Sequence, residues 1–208
     1  MIGVILVLLM LLIVDVMSVS LNILAVAGML TALLYKWPHL FQARILWYFL
    51  SLVLAVLAVI FHTEEWMDYV TRGYLPYAIL FVVMMVGVLP NKWTVSRHIK
   101  KRRGTLSIMG FILISPHAVL HVFEVFDGIN LFGIVAYVLM VPLTIISFQI
   151  IKREIKPKDW LLVQKAAYII YLALFAHLLW VGEWFDKVIY GMLLILYVNN
   201  KLLKEFSK

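Results

Sequence analysis

The chain has 208 residues, of which 65% are hydrophobic and only 14% are charged, and it contains no cysteine. So few charges cannot cover a soluble globule of this size, and without cysteine the chain forms no disulfide and no cysteine-bound cluster. The net charge of +7 would point to nucleic acid in a soluble protein, but in a chain this apolar the location of the charges matters more than their sum. We therefore predict an all-α, polytopic membrane protein in the lipid bilayer, without a nucleic-acid partner.

The N-terminal segment, residues 1–35, carries a single charge, Asp15, and no lysine or arginine. A secretory signal has a basic start and a cleavage site after a short apolar core. Because the basic start is missing, we expect this segment to remain as an extra N-terminal transmembrane segment. One long or bent helix is the preferred interpretation, and a tight helical pair is the alternative.

Six further apolar segments follow, each a candidate for a membrane-spanning helix. They cover residues 45–61, 73–90, 105–124, 130–151, 161–181 and 185–200. Together with the N-terminal segment they predict about seven transmembrane helices. The domains are then the extra span in 1–35, a six-helix transmembrane bundle over 44–200, and a basic tail at 201–208.

The connections between these segments alternate in charge. Basic stretches lie at 36–44, 91–103, 152–159 and in the tail, whereas mainly acidic stretches lie at 62–72, 124–129 and 182–187. Because positive loops resist translocation, the basic side should be cytoplasmic. The pattern predicts a cytoplasmic C-terminus and an outer N-terminus in a bacterial plasma membrane. The basic run at 96–104 is then a topology signal and a contact for anionic lipid heads.

Three histidines fall within the predicted spans. His117 and His121 lie in the outer half of the span at 105–124, and His177 lies near the outer end of the span at 161–181. Counting from the span ends at 1.5 Å per residue places all three within roughly 5 Å of one height. A histidine at membrane depth is a candidate functional residue, since burying it without partners is costly. We expect the two spans to present these imidazoles to each other.

Three chemistries suit imidazoles that face each other across a helical bundle: bis-histidine haem ligation, a divalent-metal site and a proton relay. Further metal ligands would come from His62, Glu64, Glu65, Glu124 and Asp127. The spans themselves contain few carboxylates, whereas their apolar and aromatic neighbours suit a macrocycle, so haem is the preferred interpretation. Those neighbours are Val119, Val122, Phe123, Phe126, Phe175, Leu178 and Trp180.

Three stretches of the chain carry a family resemblance. They are "GYLPYAILFVVMMVGVLP" (73–90), "KKRRGTLSIMGFILISPHAVLHVFEVFDG" (100–128) and "WLLVQKAAYIIYLALFAHLLWV" (160–181). The first ends in a proline before a basic loop, the second joins an arginine pair to a histidine-bearing helix, and the third has a histidine near its outer end. Over about residues 44–200 the chain resembles the ferric reductase-like transmembrane family. That family includes the haem-bearing membrane subunit of the bacterial methionine sulfoxide reductase system and is distantly related to NADPH oxidases and metalloreductases.

The resemblance implies where a cofactor would be held. His117, or else His121, would be one axial ligand of a single b-type haem in the outer half of the membrane, and His177 would be the other. The family's second haem would need a ligand at the position that Gln164 occupies here. We therefore expect no inner haem.

The function implied is membrane electron transfer, from quinol or a separate cytoplasmic flavoprotein toward an extracytoplasmic redox partner. No glycine-rich dinucleotide fingerprint is visible, so this chain by itself would not take hydride from NADPH. Whether it is an enzyme, as the membrane electron-transfer subunit of an oxidoreductase, stays open. Two alternatives remain. One is a histidine-lined protein that binds or transports a divalent metal, and the other is a haem-free scaffold whose histidines only hydrogen-bond neighbouring helices.

Overall fold

The structure is a computed structural model that describes residues 18–122 and 131–206. Asp15, Glu124 and Asp127 therefore lie outside the described residues, as do Phe123 and Phe126 of the expected haem wall. All regular secondary structure in the two described ranges is helical, which agrees with the predicted all-α class.

The described ranges contain ten α-helices and two short 3₁₀ turns. The helices are α1 (Val19–Lys36), α2 (Arg44–Ile60), α3 (Asp68–Thr71), α4 (Tyr74–Met85), α5 (Thr94–Leu120), α6 (Leu131–Ser147), α7 (Gln149–Glu154), α8 (Pro157–Gln164), α9 (Ala167–Val181) and α10 (Trp184–Phe206). The 3₁₀ turns are Leu40–Gln42 and Glu65–Met67. Helix α1 begins after Ser18, whose backbone is extended, so the N-terminal span is described only over its second half.

The basic stretch at 91–103, predicted as a loop, is mostly helical. Helix α5 begins at Thr94 and continues through the arginine pair and Pro116 to Leu120. The loop prediction was wrong because lysine and arginine are good helix formers and neither glycine nor proline precedes Gly104 within the run. At 27 residues, α5 is about 40 Å long, which exceeds the hydrocarbon thickness of a bilayer.

Helix α4 is the buried centre of the bundle. It has only 12 residues, nearly all of them buried, and at about 18 Å it is too short to cross a bilayer alone. A helix that is apolar all round belongs in an interior, and α4 packs against α1, α3 and α5. Its approach to α5 is close, since a Cβ on Gly110 would lie 2.9 Å from Cδ2 of Leu80.

The remaining helices surround this centre. Helix α5 also packs against α2 and α6, α9 packs against α6 and α10, and α10 returns to α1. Other helices therefore surround α4 on several sides, and Tyr77 of α4 lies near His117 of α5 and His177 of α9.

The outer faces of the bundle are strongly apolar. Ile45, Phe49, Val138, Ile169 and Ile195 are each between 57% and 84% exposed. Contiguous apolar surface on this scale is not stable in water, so the chain is an integral membrane protein. In the described ranges, three segments are long and apolar enough to cross a membrane: Val19–Lys36, Thr94–Leu120 and Pro157–Val181. The expected count of seven is not confirmed.

Exposed tryptophans lie at helix ends. Trp37 and Trp93 flank α1 and α5, while Trp180 and Trp184 lie on either side of the junction between α9 and α10, and each is at least 40% exposed. Tryptophan favours the interface between lipid and water. Their positions are therefore those expected of an aromatic belt.

Asp186 links the beginnings of α1 and α10. The sequence placed it in an acidic connection, but the structure buries it in the first turn of α10, with 2% exposure. Its Oδ1 accepts hydrogen bonds from the backbone N–H of Ser20 at 2.9 Å and from the Ser20 hydroxyl at 2.6 Å. The first N–H groups of a helix have no partner within that helix. Asp186 thus caps α1 from another helix.

The two ends of the bundle differ in chemistry. The histidine end, as we call it, holds His117, His177 and Asp186, and the basic end holds Arg103 and Lys152. Arg103 lies in the first half of α5 and His117 in its last turn.

We predict that Asp186→Ala destabilises the protein by about 1–3 kcal/mol, because two buried donors of Ser20 lose their acceptor. Ser20→Ala should cost less, since only the hydroxyl is lost. Thermal unfolding in detergent measures both. Glu183→Ala, at an exposed neighbouring position, is the matched control, and an equal loss of stability in Glu183→Ala and Asp186→Ala would contradict the cap.

Candidate histidine site

The structure brings the three predicted histidines together at the histidine end. The ring centres of His117 and His121 are 4.7 Å apart, and those of His117 and His177 are 6.3 Å apart. His117 lies in the last turn of α5, His121 directly follows that helix, and His177 is a buried residue of α9. The expectation that α5 and α9 face each other through imidazoles is therefore met. The role of these residues as ligands stays a prediction.

The ring of His117 is oriented by a backbone contact. Its Nδ1 lies 2.9 Å from the carbonyl oxygen of Thr71, the last residue of α3. Because a carbonyl only accepts, Nδ1 carries the proton and donates, which leaves the lone pair on Nε2. A hydrogen bond of this kind is the usual support of a ligating histidine, since it fixes both tautomer and ring orientation.

Tyr77 is the central aromatic residue of the site. Its ring centre lies 5.9 Å from that of His117 and 5.9 Å from that of His177, nearly parallel to the latter at 17°. Tyr77 is buried on α4. The histidine pattern in the sequence did not point to Tyr77. A tyrosine inside a predicted membrane span is nevertheless a signal of a polar site, because its hydroxyl needs a hydrogen-bond partner when buried.

Packing around Tyr77 leaves small empty volumes. A cavity of about 30 Å³ lies among Tyr77 and the three histidines, and further cavities of about 30 Å³ and 20 Å³ border Tyr77 on its side toward Phe175. A cavity of this size holds a water molecule or an ion. The tyrosine ring therefore has space on more than one side.

The walls of the site differ from those expected. Val119 and Trp180 are 57% and 60% exposed, and Val122 is also exposed, so these residues point away from the histidines. Phe175 and Leu178 border Tyr77 on its other side. The walls that the structure shows are Ile114, Ala118, Gly133, Ile134, Tyr137, Met140 and Leu174. Helix α6 supplies four of these wall residues. The pattern of apolar spans in the sequence does not reveal that α6 borders the histidines.

The other proposed metal ligands that the structure describes lie apart from the histidine cluster. His62 is exposed, and its Nδ1 is 3.1 Å from the carbonyl oxygen of Val59. Glu64 and Glu65 are exposed as well. Across residues 18–122 and 131–206, no three His, Asp or Glu side chains converge closely enough to hold a metal ion. The three imidazoles form a cluster of rings, without a convergent three-nitrogen site.

The spacing of His117 and His177 suits two imidazoles that would bind one iron. With a metal–nitrogen bond of about 2 Å, the ring centres of two such imidazoles lie about 6 Å apart, and those of His117 and His177 are 6.3 Å apart. Tyr77 lies beside both rings, at 5.9 Å from each, and the cavity among the rings is about 30 Å³, the size of a water molecule. His117 and His177 would therefore hold a haem only if Tyr77 and the neighbouring side chains moved apart.

Comparison with known protein families, with curated proteins and with solved structures finds no match to this chain. The resemblance to the ferric reductase-like transmembrane family therefore rests on the three sequence stretches alone.

Gly73 allows the close packing of Tyr77. Its φ of +84° is a left-handed conformation, and a Cβ there would lie 2.8 Å from the Tyr77 ring and 3.5 Å from Nδ1 of His117. We predict that Gly73→Ala destabilises the protein by about 1–2 kcal/mol from backbone strain, and further by displacing the ring. Thermal unfolding and near-UV circular dichroism measure the two effects.

Gly28→Ala is the matched control, because a Cβ on Gly28 meets no atom within 4 Å. In a helix, alanine is more favourable than glycine by about 0.5–1 kcal/mol, so this variant should be at least as stable as the wild type. Wild-type stability of Gly73→Ala, with an unchanged aromatic spectrum, would show that the glycine is not required.

Proposed function

We propose that this integral membrane protein transfers single electrons through one b-type haem held between His117 and His177. Its electrons would come from quinol or a separate flavoprotein and pass toward an extracytoplasmic acceptor. The observation that carries the proposal is the 6.3 Å spacing of two imidazoles on two different helices. A bound haem supplies an iron that changes its oxidation state by one electron.

The residues around this pair have separable roles. The Thr71 carbonyl holds His117 with Nε2 as its basic nitrogen, and burial within α9 holds His177. His121 lies one turn beyond His117 and is the alternative ligand, or a hydrogen-bond donor to a haem propionate. Ile114 and Leu174 wall the site with apolar surface, which limits water access and so influences the redox potential.

The direction of transfer follows from the charge pattern. The basic end is assigned to the cytoplasm by the positive-inside rule, so the histidine end faces outward and His177 lies near the outer surface. A single redox site near that surface is far from a cytoplasmic donor. Oxidation of quinol within the bilayer shortens the path and is therefore the preferred source of electrons.

The two alternative functions have less support. A divalent-metal protein needs several convergent ligands, and the described residues contain no group of three. A haem-free scaffold agrees with the small cavity of about 30 Å³ and with the hydrogen bond from His117 to the Thr71 carbonyl, but it gives no role to the 6.3 Å approach of His117 and His177. We therefore treat both as outcomes of the test.

The visible spectrum of the detergent-purified protein tests the proposal. We expect a Soret band that shifts on reduction with dithionite and is absent in His177→Ala, because one axial ligand is lost. His39→Ala, which changes an exposed histidine outside the cluster, should retain the wild-type band. Comparing His117→Ala with His121→Ala identifies the second ligand, since only the true ligand should abolish the band.

Two results would contradict the haem proposal. A colourless protein that contains a stoichiometric divalent ion indicates metal binding, and a colourless protein with no metal indicates a scaffold. A Soret band of unchanged intensity in His117→Ala, His121→Ala and His177→Ala would mean that these histidines are not the ligands.

Tyr77 provides a steric test. We predict that Tyr77→Leu takes up added haemin to a higher occupancy than the wild type, because the ring no longer fills the space beside the two imidazoles. Tyr77→Phe keeps the ring and should behave as the wild type. Spectrophotometric titration of the purified protein measures uptake, and lower occupancy in Tyr77→Leu would show that the ring supports the cofactor instead of excluding it.

A further inference from the structure

A second and larger cavity lies at the basic end, between α5, α6, α8 and α9. Its volume is about 230 Å³, several times that of the histidine cavity. Gln164, at the position where the resemblance would require an inner haem ligand, lines it. The cavity is well above the size needed for single waters and somewhat below that of pockets for drug-sized ligands. Its size thus suits a small group, such as a lipid headgroup.

The charge that lines this cavity has one sign. The lining includes Lys100, Arg103 and Lys152 and, among the described residues, no carboxylate. Each cation contacts an uncharged group. Arg103 donates to the Tyr171 hydroxyl at 3.0 Å, and Lys100 donates to the amide oxygen of Asn91. The ammonium group of Lys152 lies 4.2 Å from the centre of the Trp160 ring. Three cations without a neutralising acid attract an anion.

Trp160 adds an unused donor to the same lining. Its indole Nε1 is buried and has no hydrogen-bond partner in the structure. A buried polar group without a partner is uncommon and requires an explanation. An indole N–H only donates, so the group that would satisfy it is an acceptor such as an anionic oxygen.

Polarity decreases with depth in the cavity. The cations lie nearest the basic end, the hydroxyls of Ser107 and Thr144 come next, and Met140 and Leu174 close the deep end, where they also line the histidine cavity. This gradient matches an amphiphile that has an anionic head and an apolar chain.

We infer that this cavity binds the phosphate of an amphiphilic molecule. Arg103 and Lys152 would contact the phosphate oxygens, the Trp160 N–H would donate to one of them, and the apolar end would receive the beginning of an attached chain. Basic pockets between membrane helices are known to favour phospholipid headgroups. The inference does not depend on haem, because no residue of the histidine cluster lines this cavity.

Native mass spectrometry of the protein in a neutral detergent tests the site, with phosphatidylglycerol, phosphatidylcholine and inorganic phosphate as probes. We expect saturable binding of phosphatidylglycerol in preference to phosphatidylcholine. Loss of a charge-assisted hydrogen bond in Arg103→Gln should weaken this binding by about tenfold or more. Trp160→Phe, which keeps an aromatic ring but removes the N–H, should weaken it by about threefold or more.

Lys101→Gln is the matched control, since it removes an exposed charge on the same helix that does not line the cavity. It should bind as the wild type does. His177→Ala should also bind normally, so that failure of the haem proposal and failure of this site are distinguishable. A rise of the wild-type Tm with phosphatidylglycerol, reduced in Trp160→Phe, provides a second measurement if Arg103→Gln does not fold.

The source of the phosphate is decided by competition. If inorganic phosphate neither binds nor displaces the lipid, the ligand is a lipid headgroup. If inorganic phosphate alone raises the Tm and displaces the lipid, the ligand is a soluble phosphorylated compound, which supports a phosphate site but overturns its assignment to an amphiphile. Absence of binding by every probe, or binding that is equal in wild type, Arg103→Gln and Trp160→Phe, would overturn the inference.

Discussion

The hydrogen bond from His117 to the Thr71 carbonyl is the contact on which the histidine site depends. It joins the end of α5 to the end of α3, directly before the turn at Gly73 that begins α4. A carbonyl at the end of a helix lacks a partner within that helix, and in an apolar bundle an unsatisfied carbonyl is costly. The same bond thus stabilises the fold and determines the tautomer of His117. The left-handed turn at Gly73, which follows directly, lets Tyr77 pack beside both imidazoles.

The bundle interior contains two sites of opposite character, one above the other. Met140 and Leu174 line both cavities, so a thin apolar layer separates the imidazoles from the cations. Imidazoles at one end suit an iron or a proton, whereas cations without a neutralising acid at the other suit a phosphate. In the two proposed functions, the two ends of the bundle have separate uses. The cations would bind and orient an amphiphile, and the histidines would carry the redox chemistry.

Tyr77 is the residue that most changes the interpretation of the histidine cluster. From spacing alone, His117 and His177 define an open slot between two helices. The structure places an aromatic ring beside both imidazoles, 5.9 Å from the centre of each, with small cavities on its far side. Binding of a macrocycle, as proposed, would therefore require this side chain of α4 to move. In the same way, the exposed Val119 and Trp180 contact the exterior, and the true walls come from α5, α6 and α9.

The sequence by itself determined the helical class, the membrane environment and the common height of His117, His121 and His177, because hydropathy runs and a constant rise per residue are local properties. It did not reveal that α4 is short and buried, that the basic run belongs to α5, or that Asp186 caps α1. Those features depend on which helices become neighbours, and neighbours are chosen by packing between segments distant in the chain. Tyr77 and Trp160 show the same limit, since a tyrosine beside two imidazoles and an indole N–H in a cavity lined by three cations acquire their meaning only once the helices that carry them are packed together.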